Sequence, residues 1–161
     1  MPRYLVISDS HGHMAEVLAR CQDWGRFDGV IGAGDFYRDG AALAQIMNLP
    51  YFGAQGNNDR EPDAPWMTDI PGTVLGLVIH GHQWPAPVRQ NGLVQRAKQS
   101  GAEYVVFGHS HRRFDLTVDG IRLLNPGAIY RSLAFPPSVG VLDIEQTGQL
   151  SWNWKSLREH S

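Results

Sequence analysis

This sequence has a single cysteine, no long apolar run and no large excess of positive or negative charge. Cys21 is the only cysteine among 161 residues, so the chain can form no internal disulfide and no cysteine-based metal site. No apolar run approaches the ~20 residues that a membrane-spanning helix needs. The opening Met1-Pro2-Arg3 leads directly into an apolar run that lacks the length and the cleavage site of a secretory signal. We therefore expect a cytoplasmic protein without a membrane partner.

The charge balance argues against stable electrostatic binding to a large anionic partner such as nucleic acid. Fourteen Lys and Arg residues against sixteen Asp and Glu residues give a formal net charge of -2 at pH 7. A chain without a basic excess does not favour stable binding to nucleic acid, although a nucleotide-sized substrate is compatible with it. The length and the hydrophobic content of 42% are typical of one globular domain, which we expect to cover residues 1–161.

Short apolar runs and helical patterns alternate through the first third of the chain. Apolar runs at residues 4–7, 30–31 and 51–54 predict strands, and the patterns at 14–24 and 41–47 predict helices. This alternation is typical of an α/β sheet, whose sites lie at the carboxyl ends of its strands. The later part of the chain predicts one helix at 88–99 and strands at 73–79, 104–107, 116–118, 121–124, 139–144 and 150–154.

Two other segments carry turn or linker signals. Asp119-Gly120 between two apolar runs predicts a two-residue hairpin. Residues 60–72 contain three prolines and are typical of a linker.

Six of the seven histidines form three pairs with one residue between the two members, namely His11/His13, His80/His82 and His109/His111. Residues two apart on an extended chain point the same way, so such a pair can present two ligands to one place. Each pair follows a predicted strand and is interrupted by Gly or Ser, which puts the imidazoles on loops at strand ends.

Carboxylate and amide groups follow the same strand ends. With the histidines they supply seven oxygen and nitrogen donors on five loops: Asp9, His11, Asp35, Asn57, His80, His109 and His111. Seven donors exceed what one tetrahedral ion takes, so two adjacent divalent ions that share a carboxylate are the economical interpretation. The alternative is that these side chains only cap turns at the strand ends.

The motifs resemble those of the calcineurin-like metallophosphoesterases. They are Asp9-Ser10-His11, Gly34-Asp35, Gly56-Asn57, His80-Gly81-His82 and Gly108-His109-Ser110-His111, in that family's order and over roughly two thirds of the chain. The compact spacing looks most like the small phosphodiesterase branch, which also includes the Vps29-type scaffold proteins. The resemblance implies an α/β fold, a four-layer sandwich of two mixed sheets with flanking helices.

The resemblance also implies which residues hold each ion. One ion would take Asp9, His11, Asp35 and His111, and the other would take Asp35, Asn57, His80 and His109, with Asp35 as the bridge. A hydroxide between the ions would attack phosphorus in line, with Asp35, Asn57, His80 and His82 as the candidate catalytic residues. Mn²⁺ is the metal that the resemblance favours, while Fe, Zn²⁺ and Ni²⁺ suit the same donors.

Position 58 departs from the pattern of many phosphomonoesterases in that family. Those enzymes have His directly after the motif Asn, where it is assigned to protonation of the leaving group, whereas this chain has Asn58. An amide cannot act as a general acid, and loss of a proton donor lowers the rate of a reaction by a factor on the order of 10²–10⁴. We therefore expect hydrolysis of phosphodiesters with good leaving groups, with Asn58 and Arg60 as candidate substrate contacts.

Two other functions stay open at this point. A phosphomonoesterase or nucleotide-polyphosphate hydrolase would need another proton donor, for which His82 is the candidate. A non-catalytic scaffold like the Vps29-type proteins would have no need of seven metal donors. The expected partners are a small phosphate ester or nucleotide-like substrate and a second copy of the chain, since dimers are the commonest symmetric assembly.

Residues beside the motifs have further interpretations. Asp59 is predicted to accept the N–H of a metal-bound imidazole rather than to cap a turn. Arg112 and Arg113, like Arg60, are candidates for contacts with phosphate oxygens. Asn125-Pro126-Gly127 resembles a turn of the small branch, so we expect a structural turn in which Gly127 is free to adopt a positive φ. Trp152 and Trp154 predict a last strand that buries both indoles.

Overall fold

The computed structural model describes residues 2–129 and 136–157. In chain order, the first half contains β1 (Arg3–Ile7), α1 (Ala15–Arg20), a 3-10 turn (Cys21–Trp24), β2 (Gly29–Gly32), α2 (Tyr37–Met47), β3 (Tyr51–Gly53), β4 (Met67–Ile70) and β5 (Gly76–Ile79). The second half contains α3 (Ala86–Ser100), β6 (Tyr104–Val106), β7 (Arg113–Val118), β8 (Ile121–Pro126), β9 (Ser138–Ile144) and β10 (Leu150–Ser156).

The strands form two five-stranded sheets that both mix parallel and antiparallel pairs. The first has the order β10-β9-β1-β2-β3, in which β1, β2 and β3 are parallel and β9 is antiparallel to β1. The second has the order β4-β5-β6-β8-β7, in which β5, β6 and β8 are parallel. In each sheet the parallel strands therefore end at one edge, and the predicted ligand loops begin there.

Alternating side chains build three apolar layers around the sheets. In β1, Tyr4 and Val6 lie in the cluster between the sheets, while Leu5 and Ile7 lie in the cluster that packs against α1 and α2. A third cluster packs α3 against the outer face of the second sheet. The resulting order of helix, sheet, sheet and helix confirms the predicted four-layer α/β sandwich.

The first two helices differ from their predicted bounds. The pattern at 14–24 predicts one helix, but the chain tightens into a 3-10 turn at its end, which brings both Cys21 and Trp24 into the core. The helix predicted at 41–47 begins earlier, at Tyr37. Its first residues carry no local capping side chain, so the sequence gives no start signal there.

The prediction of a linker at residues 60–72 is wrong in part, because this segment contains β4. Met67–Ile70 pairs antiparallel with β5 at the edge of the second sheet. Pro65 and Pro71 flank the paired residues and therefore interrupt no hydrogen bond of the ladder. Prolines just outside an edge strand therefore give the sequence the composition of a linker, although the segment between them is a strand.

The predicted turn at Asp119-Gly120 is confirmed. It joins β7 to β8, and both residues have positive φ, 51° and 81°, as the tight hairpin turn requires. At the last strand, Trp152 is buried between the sheets but Trp154 is only partly buried beside it, so the prediction that both indoles are buried is wrong in part. Among residues 2–129 and 136–157, no helix is both long enough and apolar enough to span a bilayer.

Candidate metal centre

The predicted ligands lie on five loops that follow parallel strands. By strand, they are Asp9 and His11 after β1, Asp35 after β2, Asn57 after β3, His80 after β5, and His109 and His111 after β6. The fold therefore brings donors from both sheets to one edge of the sandwich.

Asp9 and Asp35 lie in the middle of this group. Asp9 Oδ1 is 3.4 Å from His111 Nε2 and 3.8 Å from His80 Nε2. Asp35 Oδ1 is 3.5 Å from His80 Nε2, and Asp35 Oδ2 is 3.8 Å from His11 Nε2. Ligand atoms of Asp9, His11 and His111 lie within 4.8 Å of one another, as do those of Asp9, Asp35 and His80. Each carboxylate therefore faces imidazoles from two different loops.

Asn57 and His109 complete the group. Asn57 Oδ1 is 3.1 Å from His80 Nε2, and the His109 ring packs against the His80 ring with 5.1 Å between centroids. Every one of the seven predicted donors thus lies next to another member of the set.

His80 is fully buried, and a backbone carbonyl holds its ring. Nδ1 lies 2.7 Å from the carbonyl oxygen of Ala33. Because a carbonyl oxygen only accepts, Nδ1 donates its hydrogen there, and in the neutral ring Nε2 is an acceptor directed at the cluster. A metal-binding histidine is ordinarily oriented in this way through its other nitrogen.

Hydrogen bonds from neighbouring loops hold the two carboxylates. Ser8 Oγ and the backbone N–H of His109, at 3.0 Å, both donate to Asp9 Oδ2. Asn58 donates its backbone N–H to Asp35 Oδ1 at 2.9 Å and its side-chain Nδ2 to Asp35 Oδ2 at 2.8 Å. Asp9 Oδ1, in contrast, is buried and receives no well-formed hydrogen bond from the described part of the chain.

The backbone of the site has an uncommon conformation. Five of the seven predicted ligands have positive φ: Asp9 (52°), His11 (46°), Asp35 (55°), His109 (67°) and His111 (64°). Residues other than glycine rarely adopt this region, and each instance costs about 1–3 kcal/mol. Such strain concentrates at functional sites, because the rest of the fold holds the loop in the shape that presents its side chains.

Two glycines let these loops approach one another. A Cβ atom at Gly34, whose φ is 103°, would lie 2.6 Å from His80 Nδ1. A Cβ atom at Gly108 would overlap the Ser8 hydroxyl and lie 2.8 Å from Asp9 Oδ2. A side chain at either position would therefore displace the groups that form the cluster.

The clustered groups shift one another's pKa. Burial raises the pKa of Asp9, but the contact with His111 and the charge of His80 outweigh it and leave that pKa below its ordinary value. The contact with Asp9 raises the pKa of His111 against the opposing effect of burial. Burial and the charge of His80 lower the pKa of His109 and of His82. An ionised carboxylate and neutral imidazoles bind a divalent cation, so a metal ion at Asp9 would displace the proton that the raised pKa favours on His111.

The donor set fits divalent metal ions. Oxygen atoms of Asp9, Asp35 and Asn57 surround His80 Nε2 at 3.1–3.8 Å. Acceptor atoms gathered in this way repel one another unless a cation or a proton lies among them. Asp9 Oδ1 in particular is a buried anionic atom that a cation would neutralise. Mixed carboxylate, amide and imidazole donors suit Mn²⁺, Fe, Zn²⁺ and Ni²⁺.

His82 lies at the edge of the cluster. Its ring centroid is 5.4 Å from that of His80 and 6.3 Å from that of His109. Its Nδ1 is buried and has no hydrogen-bond partner among the described residues. His82 therefore lies beside the predicted ligands but belongs to neither of the two groups of converging donors.

The candidate arginines line two cavities next to the predicted ligands. Arg60 lines one cavity of about 150 Å³ together with Asn58, which is hydrogen-bonded to Asp35. Arg112 and Arg113 line a second cavity of about 220 Å³ together with His111.

Asp39 is a supporting residue that the sequence analysis missed. Its Oδ2 accepts hydrogen bonds from Ser10 Oγ at 2.6 Å and from the backbone N–H of Gly12 at 3.0 Å. These two donors flank His11, so Asp39 holds the loop that carries this imidazole. An acidic residue in the first turn of a helix is ordinarily explained by the helix dipole, and the sequence contained no other signal for this role.

Asp59 caps a turn, and the prediction that it accepts an imidazole N–H is wrong. Its Oδ1 accepts the backbone N–H groups of Phe36 at 2.8 Å and of Tyr37 at 2.7 Å, at the start of α2. Its Oδ2 accepts the N–H of Gly56 at 2.8 Å. Asp59 therefore ties the loop after β3 to the loop that carries Asp35.

The turn at Asn125-Pro126-Gly127 is structural, as predicted, and it supports the loop after β6. Asn125 Nδ2 donates to the carbonyl oxygen of Gly108 at 3.1 Å, and Asn125 Oδ1 accepts the N–H of Gly127 at 2.9 Å. Gly127 has a φ of 81°.

Comparisons with known proteins identify the family of this chain. Residues 3–147 match the calcineurin-like phosphoesterase superfamily domain. A probable metallophosphoesterase of Mycoplasma pneumoniae is 33% identical over 132 residues, which cover 80% of each chain. A phosphodiesterase of Methanocaldococcus jannaschii is 26% identical over 163 residues, which cover 88% of this chain and 92% of that one.

Two solved structures share the fold. A Streptococcus pneumoniae protein assigned as a phosphoesterase by prediction has a TM-score of 0.77 and 23% identity, and the match covers 97% of this chain and 90% of that one. Vps29 of Entamoeba histolytica in complex with Zn²⁺ has a TM-score of 0.75 and 20% identity, and the match covers 97% of this chain and 99% of that one. Since the family match spans nearly the whole described chain, this protein belongs to the calcineurin-like phosphoesterase superfamily.

Proposed function

We propose that this protein is a phosphodiesterase that works with two divalent metal ions, held by Asp9, His11, Asp35, Asn57, His80, His109 and His111. The observation that carries the proposal is the convergence of two buried carboxylates and three imidazoles around Asp9 Oδ1, which receives no well-formed hydrogen bond within the described residues. Membership of the family supports phosphoester hydrolysis as the reaction, and one relative is named a phosphodiesterase.

The two oxygens of Asp35 support its role as the shared ligand. Oδ2 faces His11 and Oδ1 faces His80, which belong to the two different ions of the proposal. His11 would bind one ion with Asp9, Asp35 and His111, and His80 would bind the other with Asp35, Asn57 and His109. Divalent ions held there, Mn²⁺ in our proposal, would supply Lewis acidity and lower the pKa of a bound water.

The protein's own groups keep the ligand atoms in place before the substrate binds. Asn58 orients both oxygens of Asp35, and the Ala33 carbonyl orients His80. A site that is already ordered loses little free energy to reorganisation during the reaction. His82, beside His80 and His109, completes our set of candidate catalytic residues with Asp35, Asn57 and His80.

The side chain at position 58 supports a diester substrate. The Asn58 amide is bonded to Asp35 and is not an acid, so it cannot protonate a poor leaving group. Nδ2 carries a second hydrogen with which Asn58 would contact a substrate oxygen, as Arg60 would from the adjoining cavity. A small phosphodiester with a good leaving group is therefore the proposed substrate, in a cytoplasmic enzyme of one domain that forms a homodimer.

A phosphomonoesterase is the second candidate, and the position of His82 favours it. The imidazole lies beside His80 and His109, and its Nδ1 has no hydrogen-bond partner among the described residues. It would replace the missing proton donor at position 58. His82→Ala would then abolish turnover of monoesters and spare activated diesters, whereas an equal loss on both would remove this candidate.

A non-catalytic scaffold is the third candidate, because Vps29 shares the fold. The complete donor set argues against it, since a pure scaffold has no need of seven metal donors on five loops, three of which carry their ligands in a strained backbone conformation.

The test compares hydrolysis of bis-p-nitrophenyl phosphate and p-nitrophenyl phosphate by chelator-stripped protein reloaded with Mn²⁺. We expect diester turnover that needs both metal and His109, little monoester turnover, and two ions per chain by elemental analysis. His13→Ala is the matched control for His109→Ala, because His13 is an exposed histidine outside the cluster. Absence of turnover of either ester with Mn²⁺, Fe²⁺, Zn²⁺ and Ni²⁺ would overturn the proposal in favour of the scaffold.

A further inference from the structure

A cavity of about 150 Å³ opens beside the candidate metal centre, lined by Phe36, Arg38, Asn58, Asp59, Arg60 and Glu61. Two of its residues connect it directly to the proposed ligands. Asn58 donates to both oxygens of Asp35, and the Phe36 ring lies 5.2 Å from the His11 ring between centroids. A substituent on a phosphate bound at the centre would therefore extend into this cavity.

Two arginines determine what this cavity can bind. The guanidinium carbon of Arg38 lies 5.4 Å from the centroid of the Phe36 ring, a cation–π contact that supports the group and leaves its N–H edge for a ligand. Neither Arg38 nor Arg60 forms a salt bridge or a side-chain hydrogen bond within residues 2–129 and 136–157. Arginine groups without a carboxylate partner are suited to bind the oxygens of a phosphate.

The two carboxylates of the cavity do not pair with its arginines. Asp59 accepts three backbone N–H groups, two at the start of α2 and one at Gly56. Glu61 is the other carboxylate of the lining, and it forms no salt bridge with either arginine in the described ranges. The formal charges of the lining balance, but both guanidinium groups keep their N–H groups for an anionic ligand.

We propose that Arg38 and Arg60 bind a second phosphate of the substrate, so that the preferred substrates are phosphate esters whose alcohol carries a further phosphate. This inference rests on the proposed function, because it assumes that the phosphate to be hydrolysed lies at the metal centre. Arg38 is then a specificity residue that contacts substrate away from the reacting atoms.

The test measures binding rather than turnover. Calorimetry with the Mn²⁺-loaded full chain compares thymidine 5′-phosphate with thymidine 3′,5′-bisphosphate, two ligands that differ only in the second phosphate. We expect the bisphosphate to bind about 10-fold tighter or more, as a charged hydrogen-bonded contact provides. Arg38→Gln and Arg60→Gln should each bring the ratio of the two affinities close to one.

Arg26→Gln is the matched control, since it removes the same charge from an exposed residue near the amino end of β1, away from the ligand loops. It should keep the wild-type ratio. A wild-type ratio near one, or the same ratio in Arg38→Gln and Arg26→Gln, would overturn the second-phosphate site. An equal loss of both affinities in Arg38→Gln would also overturn it, because Arg38 would then contact the first phosphate.

The two proposals fail separately. If the protein hydrolyses bis-p-nitrophenyl phosphate but shows no preference for the bisphosphate, the phosphodiesterase stands and the second-phosphate site is wrong. If the preference depends on Arg38 while no ester is hydrolysed with any of the four metals, the anion site stands and the hydrolase is wrong.

Discussion

Both carboxylate oxygens of Asp35 accept hydrogen bonds from Asn58, one from the backbone N–H at 2.9 Å and one from Nδ2 at 2.8 Å. One residue thereby fixes the rotation of the carboxylate that faces both His11 and His80. The residue after the motif Asn is therefore not simply a missing proton donor. In this protein it positions the carboxylate that we propose as the shared ligand.

Asn58→Ala should weaken metal binding while the fold stays intact. Asp35 would keep the backbone donor but lose the side-chain donor, and loss of such an orienting partner typically costs about 10–100-fold in metal affinity. Titration of the chelator-stripped protein with Mn²⁺ measures this change. Asn91→Ala, at an exposed position on α3, is the matched control and should bind Mn²⁺ as the wild type does. Equal affinities in the two variants would show that Asn58 does not orient Asp35.

Gly34→Ala should destabilise the protein more than the same substitution at Gly101, another glycine of positive φ. At Gly101, whose φ is 75°, no atom lies within 4 Å of the added Cβ, so Gly101→Ala reports the backbone strain alone, about 1–2 kcal/mol. At Gly34 the new Cβ would also meet His80 Nδ1 at 2.6 Å, and overpacking of this kind adds about 1–3 kcal/mol. Urea unfolding of the two variants compares these free energies, and an equal loss would mean that the His80 loop moves aside freely.

The strands could be predicted because their signals are local, whereas the four-layer order was implied by the resemblance to the family. The apolar run at residues 4–7 predicts β1, but all four residues are apolar, so the run does not show that Tyr4 and Val6 lie in one layer and Leu5 and Ile7 in another. That the candidate ligands lie close together was predictable for a similar reason, since they occur directly after apolar runs and parallel strands bring such positions to one edge.

The residues that support the site could not be predicted, because their partners are distant in sequence. Asp39 binds the loop around His11, and Asp59 caps the start of α2 from the loop after β3. The same separation hid the true start of α2, whose cap lies more than 20 residues away along the chain. Neither the periodicity nor the composition of a segment contains such information.

Asp39→Ala should weaken metal binding through the loop that carries His11. The variant loses the acceptor for Ser10 Oγ and for the Gly12 N–H, so the imidazole is no longer held in its strained conformation. We expect a decrease of about 10-fold in Mn²⁺ affinity, at the lower end of the effect of an orienting partner. Asp39→Asn keeps an oxygen acceptor and should recover part of the affinity. Asp69→Ala removes a carboxylate from the exposed face of β4 and should have no effect.

A lack of recovery in Asp39→Asn, with the same loss in Asp69→Ala, would indicate that net charge rather than the hydrogen bonds determines the affinity. Full recovery in Asp39→Asn would instead assign the whole effect to the acceptor oxygen.

Mn²⁺ should stabilise the wild-type protein, and Asp9→Asn should abolish this stabilisation. A ligand that binds only the folded chain at 100 times its dissociation constant adds about 2.7 kcal/mol to the free energy of unfolding. In a chain of this length that corresponds to a rise of about 5–10 °C in Tm, measurable by thermal unfolding with Mn²⁺ and with chelator. Asp9 belongs to both groups of converging donors, so its neutral amide should remove an anionic ligand of the first ion and the negative charge that lies beside the second.

The matched control is His13→Asn, which introduces the same side chain outside the cluster and should retain the whole shift. A shift that survives in Asp9→Asn would mean that the ion stabilises the protein from somewhere else. This measurement is independent of turnover, and it therefore separates the metal centre from the chemistry proposed for it. If the shift disappears in Asp9→Asn while wild-type protein with metal hydrolyses no ester, the ions bind where we propose and serve a purpose other than hydrolysis.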